Sequence, residues 1–255
     1  MHRRPGRLHR QLLHGPDGFD DVELADPQYR PTRRWRVMTW LAVGVYAVYL
    51  VVGFVVRTVI QVRKTGDSGF RGLSGRRGSA EWWAGVLFVA ALLVGVCAPV
   101  AGLMGLPTIA WLDHGAVNVF GVLLSSAGLI LTLAAQLRMG SEWRIGVDET
   151  EQTTLVTDGL FALVRNPIFT AMALTGLGLT LMVPNMVAVA GLAALVIALQ
   201  LQVRVVEEPY LCRLHRDAYA SYAATVGRFW PGLGKAGTVR AAASTDAPAA
   251  LGGSS

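Results

Sequence analysis

Residues 168–206 read IFTAMALTGLGLTLMVPNMVAVAGLAALVIALQLQVRVV, two apolar runs separated by Pro184-Asn185, with no ionisable group before Arg204. The first run, 168–183, is a short span. The second, 186–206, has the roughly 20 residues that a helix needs to cross about 30 Å of hydrocarbon. Together they predict an antiparallel helical hairpin. Small residues recur at spacings of three and four, at Ala171, Thr175 and Gly178 in one arm and at Gly191, Ala194 and Ala198 in the other. Each set occupies one helix face, so the two arms are expected to pack closely on each other.

Working outward, the same apolar character recurs at 37–60, 82–104 and 115–137. The chain has 255 residues, 53% hydrophobic and only 16% charged, with a mean hydropathy of +0.44. Such a composition excludes an ordinary water-soluble domain. The fold class is therefore an all-α integral membrane protein of about five transmembrane helices, with a C-terminal helical hairpin and an amphipathic C-terminal helix over 210–226. In that last segment Leu211, Leu214, Ala218, Tyr222 and Val226 form an apolar stripe, with Arg213, Arg216 and Asp217 off it. The organisation reads as a polar tail at 1–36, N-terminal spans at 37–137, a region of loop, helical hairpin and amphipathic helix at 138–231 and a disordered tail at 232–255. The first apolar run begins only at Val37, so the leading segment does not read as a secretory signal. Pro99 is expected to kink the second span, and Arg57 to snorkel from the first toward the interface.

A net charge of +6 raises nucleic acid as a partner. No binding motif supports it, and the arginines cluster beside apolar runs, where the lipid bilayer is the nearer partner. Cys97 and Cys212 form no CxxC or Cys/His pattern, so no metal site is expected. The segments 61–81, 138–167 and the C-terminal tail carry arginines, whereas 105–114 and the turn at Pro184 carry none. By the positive-inside rule the basic segments, the 138–167 loop among them, face the cytoplasm; the membrane is expected to be a bacterial plasma membrane. Five spans then put the N-terminus outside, against the pull of Arg30, Arg33, Arg34 and Arg36. A re-entrant or broken segment near Pro99 or Pro107 would reconcile the two.

The chemistry concentrates in two places. Residues 154–169, TLVTDGLFALVRNPIF, combine a glycine turn with Arg165-Asn166-Pro167, a helix start with Asn166 capping and Pro167 at the first position. Such a start aims unpaired N–H groups and a positive helix end at the polar loop, where an anionic group can sit. At the end of the hairpin, Gln200, Arg204, Glu207 and Glu208 share one face at helical spacing. Ionisable groups so close to a span are costly and are usually functional. An interfacial belt in which Arg204 pairs Glu208 is the plainer reading of that face.

These residues resemble the isoprenylcysteine carboxyl methyltransferases and the related bacterial phospholipid methyltransferase-like membrane enzymes. The likeness rests on LVTDGLFALVRNPIF and on EEPYLCRLHRDAYASYAATVGRFWP, similar to the family's Arg-His-Pro-x-Tyr signature, its paired glutamates, its tyrosines three apart and its Arg-Phe-x-Pro close. It covers roughly residues 140–231. The resemblance implies S-adenosylmethionine as methyl donor and a lipophilic acceptor, isoprenylcysteine carboxylate-like or related. It places Leu155, Val156, Gly159, Arg165, Asn166, Pro167, Phe169 and Glu208 near the cofactor and Arg204, Glu207 and Glu208 at the reacting end. Trp143 and Arg144 are candidates for the acceptor mouth, or for an interfacial anchor pair. Three departures stand out: Asn166 where the family more often has His, Leu160 where Pro is usual, and Arg216 where Gly is preferred. Two rival readings are a membrane reductase of sterol or polyprenyl double bonds using NADPH, and a non-enzymatic membrane scaffold.

Overall fold

The computed structural model describes residues 33–68, 75–140, 143 and 154–236. Among them the chain is all-α, with two isolated β-bridges. Helix α1, Arg33–Leu50, continues through a π-helical turn, π1 at Val51–Val56, into α2, Arg57–Thr65. Then come α3, Ala80–Leu103, and α4, Gly115–Met139. A 3-10 turn at Gly159–Ala162 leads to α5, Pro167–Met182. Helix α6, Met186–Leu201, passes through a second π-helical turn, π2 at Gln202–Glu207, into α7, Glu208–Thr225. Among the described residues four helical stretches, Arg33–Thr65, Ala80–Leu103, Gly115–Met139 and Met186–Thr225, are long and apolar enough to cross a membrane, and Pro167–Met182 is a shorter apolar helix.

Local sequence explains the helix ends. Gly66 closes α2 in the left-handed conformation at φ 75°, its N–H bonding the Val62 carbonyl. Ser79 caps α3 by accepting from Trp82 N, and α3 stays helical through Pro99. Asn185 works in two directions at the hairpin turn. Its Oδ1 caps α6 by accepting from Ala188 N at 2.9 Å, and its Nδ2 donates to the Ala98 carbonyl at 2.9 Å.

The small-residue stripes of the hairpin do not face each other. Gly178 meets α4, where an added Cβ would lie 2.4 Å from Ser125 N and 2.6 Å from Gly121 O. Gly191 instead faces Val94 and Gly95 of α3. Helix α5 therefore seats closely on α4 and α6 on α3. Small residues announce a close neighbour without naming it, and here the neighbour is an earlier span rather than the other arm.

Alternation of direction fixes which groups share an end of the bundle. Arg34 binds Asp113 just before α4, through the carbonyl at 3.0 Å and Oδ1 at 3.1 Å. Ile109 N donates to Pro184 O at 2.7 Å. The start of α1, the 104–114 connection and the hairpin turn thus lie together, and that connection does not re-enter the bundle. Arg57, the end of α4 and the start of α5 lie at the opposite end. The arginines beginning α1 are therefore remote from Arg165, and Arg34 has a carboxylate partner there.

Candidate active site

At the entry to α5, three backbone contacts hold the chain beside the segment that follows α7. Val164 and Gly227 form a parallel bridge. Arg165 N donates to Gly227 O at 2.8 Å and Asn166 N to Arg228 O at 3.1 Å. Pro167 occupies the first turn of α5, where its missing N–H leaves no gap in the ladder. Asn166 stands at the cap position but makes no capping bond. Its Nδ2 donates instead to Arg228 O at 3.1 Å, which turns the amide away from the helix end. Thr170 ties the same strap by donating to Phe229 O at 2.9 Å.

Arg165 is the hub. Its Nη1 donates to the carbonyls of Ala223 at 2.9 Å and Val226 at 2.6 Å, so it stitches the end of α7 to the start of α5. Its Nη2 donates to Glu208 Oε1 at 2.7 Å and Gly234 O at 3.2 Å. Arg228 grips the same carboxylate with both ends of its fork, Nε to Oε1 at 2.7 Å and Nη2 to Oε2 at 2.8 Å. Two guanidinium groups thus bracket one carboxylate, with 16% of the Glu208 side chain exposed and 2% of Arg165. A buried charge is tolerable when it is paired and hydrogen-bonded in this way. Glu208 also keeps Arg228 protonated beyond the ordinary arginine range, chiefly through these hydrogen bonds. A carboxylate engaged by both oxygens is a positioning group rather than a proton acceptor.

Residues 117–218 match the family model described as phospholipid methyltransferase. The chain carries a domain of that family. Its members are integral membrane methyltransferases, isoprenylcysteine carboxyl methyltransferase-like proteins among them. No curated protein matches the chain. The matched stretch begins in the first turn of α4 and ends in α7, so it contains Arg165, Asn166, Glu207 and Glu208.

Within this methyltransferase domain the candidate residues separate into groups. Arg165, Asn166, Pro167 and Glu208 converge at the junction just described. Gly159 opens the 3-10 turn at φ 57°, beside Arg138, whose Nε donates to Asp158 Oδ1 at 2.7 Å. That hydrogen bond holds the Asp158 carboxyl below its usual range. Phe161 in the same turn is buried, and its carbonyl accepts from Tyr222 Oη at 2.6 Å. Leu155 and Val156 precede the turn, half-buried. Phe169 packs beside the apolar cluster of Tyr49, Ala91, Met172, Leu195 and Leu199, so it belongs to the core as well as to the site's edge.

Arg204 and Glu207 stand apart from this junction. Arg204 is exposed and its Nε donates to Gln200 Oε1 at 2.9 Å. Glu208 bonds Arg165 and Arg228 rather than Arg204, because the π turn at 202–207 breaks the 3.6-residue period that would stack i on i+4. Glu207, half-buried, lies near the Gln202 side chain. Trp143 is buried beneath Arg57, whose guanidinium carbon sits 4.8 Å from the ring centroid. Arg144 lies outside the described residues, as do the acidic residues Asp148, Glu149 and Glu151.

Arg228 and Tyr222 have no assigned site role in the sequence, and Arg57 lies apart from the junction. Arg228 belongs to the Arg-Phe-x-Pro segment, which was the available signal. Its place in the apolar stripe of 210–226 predicts that Tyr222 lies on or against the membrane, yet its hydroxyl reaches the 3-10 turn. The position of Arg57 near the end of the first span predicts that it snorkels to the interface. It is only 3% exposed, turned inward with its Nη2 donating to the Gly140 carbonyl.

Proposed function

We propose that this chain transfers a methyl group from S-adenosylmethionine to a lipophilic acceptor, isoprenylcysteine carboxylate-like or related, at the membrane–cytoplasm interface of a bacterial plasma membrane. The observation that carries the reading is the Arg165–Glu208–Arg228 cluster, which ties the start of α5, the end of α7 and the following strap into one junction, with Arg165 and Glu208 inside the stretch that matches the methyltransferase family and Arg228 just beyond it. Residues 138–231 form the catalytic region in this reading.

The junction has the chemistry that such a donor needs. The start of α5 has no side-chain cap, so its first N–H groups and positive end suit a carboxylate. Arg165 Nε is buried and has no hydrogen-bond partner among the described residues. Leu155, Val156, Gly159, Arg165, Asn166, Pro167, Phe169 and Glu208 would hold the donor. When bound, it supplies a methyl carbon on a sulfonium. Its sulfonium would make that methyl electrophilic and would depart as a neutral thioether, so the chain's own residues have to hold donor and acceptor in line. No strong base is required when the acceptor is already a carboxylate or thiolate, which suits Asn166, an amide that donates a hydrogen bond but takes no proton near neutrality. The protein's task is then alignment and exclusion of water. Arg204 orients an anionic acceptor, Glu207 and Glu208 frame the reacting end, and Trp143 and Arg144 form the acceptor mouth.

Thermal unfolding in detergent tests the donor assignment. S-adenosylhomocysteine is expected to raise Tm, and stabilisation by reduced nicotinamide nucleotide alone would overturn the reading in favour of a reductase. Incubation of lipid and small-molecule extracts with isotopically labelled donor, read by mass spectrometry, identifies the acceptor.

A further inference from the structure

The seam between α2 and α4 holds polar groups that the junction does not use. Arg57 is 3% exposed, yet among the described residues its guanidinium bonds no carboxylate: Nη2 goes to a carbonyl, the face stacks on Trp143, and Nε has no partner. One turn earlier on α4, Gln136 is equally buried. Its Nε2 donates to Gly53 O at 2.9 Å, inside π1, while its Oε1 has no partner. Gly53 is four residues before Arg57 and Gln136 four before Gly140, so the orphan donor and the orphan acceptor lie within about one helical turn, ~5 Å, of each other along the seam. A buried cation without a counter-charge is among the most expensive arrangements a membrane protein can hold. Helix α2 adds to it, with Arg63 and Lys64 in its last turn and no acidic residue.

We propose that Arg57, stacked on Trp143 beside Gln136, is a docking point for a phosphate at the polar end of the α2–α4 seam. Arginine's planar fork suits phosphate oxygens. A basic pocket between spans at the polar end of a bundle is where a lipid phosphate is within reach. The amide oxygen of Gln136 takes a hydroxyl donor adjacent to that phosphate, which favours a glycerol-type headgroup over a quaternary one. The site shares Trp143 with the acceptor mouth proposed above, but the phosphate contact rests on Arg57 and Gln136 and not on the methyl-transfer reading.

Native mass spectrometry of the full chain, released from detergent micelles carrying phosphatidylglycerol or phosphatidylcholine, tests it. Wild type is expected to retain phosphatidylglycerol preferentially. Arg57→Gln should retain about tenfold less, as loss of a charge-assisted contact implies, and Gln136→Leu should reduce the preference for the glycerol headgroup. Arg57→Lys, which keeps the charge, guards against a folding defect and should bind at an intermediate level. Displacement of phosphatidylglycerol by millimolar inorganic phosphate would assign the site to the free anion, and persistence of the lipid would assign it to the headgroup. Equal retention of phosphatidylglycerol by wild type and both Arg57 variants, or equal retention of the two lipids by wild type, would overturn the proposal. Stabilisation by S-adenosylhomocysteine, measured on the same samples, reports on the donor site separately.

Discussion

The carboxylate of Glu208 serves two arginines from different parts of the chain, and removing its charge affects both. Glu208→Gln leaves two buried or half-buried guanidinium groups without a counter-charge, and breaking such a pair from one side typically costs about 3–5 kcal/mol. A lower Tm in detergent together with loss of methyl transfer is expected. Retention of full transfer would remove Glu208 from the site. Asp158 offers a contrasting, exposed case. Arg138 depresses its carboxyl pKa, so the pair's contribution is fully present above the unfolded carboxyl value of about 3.9 and is lost as pH falls through the lower folded value. The Tm difference between wild type and Asp158→Asn should therefore be small, constant from pH 7 to about 5, and shrink progressively as pH falls below about 4. A difference that grew with acidification would contradict this sign. At this scale the sequence identified Arg165 and Glu208 but not their partnership, because they lie far apart in the chain and no periodicity links them.

Helix α7 shows how one residue alters an element. Arg216 sits at φ 43° and ψ −116°, a non-helical conformation inside an otherwise continuous helix. A side chain with a Cβ is strained there, whereas glycine enters it freely. The resemblance noted glycine as the preferred residue at this position, and the backbone supplies the reason. Arg216→Gly should relieve strain and raise stability by about 1 kcal/mol, seen as a higher Tm; a fall would mean that the arginine side chain contributes more than its backbone costs. The same interruption explains why Tyr210, Tyr219 and Ala223 form the buried face instead of the stripe through Leu211, Leu214 and Ala218 that unbroken periodicity suggests. On α5, Gly178→Val would drive a branched side chain into the α4 backbone at a Cβ distance of 2.4 Å from Ser125 N. Overpacking of that kind should cost about 3 kcal/mol, and the α5 variant should unfold at markedly lower temperature. A matching change at Ala194 of the other arm, outside that contact, should be milder.

For the whole molecule, the consequential feature is that the strap after α7 returns to the start of α5. Gly227 O and Arg228 O receive the amides of Arg165 and Asn166, Gly234 O receives Arg165 Nη2, and Ala236 N donates to Ala223 O. Ending the chain after Val226 removes these bonds and Arg228 itself, while leaving the four long apolar helices whole. The truncated protein is expected to remain membrane-inserted, by resistance to alkaline extraction, and to lose stabilisation by S-adenosylhomocysteine. Unchanged stabilisation would show that the strap is dispensable to the junction.

The sequence by itself determined the all-α class and the positions of the apolar helices, because hydrocarbon forces every backbone polar group into a helix and sets its length. It also placed the helix start at Pro167, a local effect of a residue with a fixed φ. Only the tertiary structure decided which faces meet. The stripe of Ala171, Thr175 and Gly178 has no local mark that selects α4 over α6, since small residues permit close approach to any helix. Nor could spacing predict that Glu208 turns to Arg165 and Arg228, because the π turn shifts its face and both partners arrive through folds of the chain. Arg57 shows the same limit. Near the end of an apolar run it has the sequence of a snorkelling arginine, and only the packing of Trp143 and Gly140 against it makes it a buried charge.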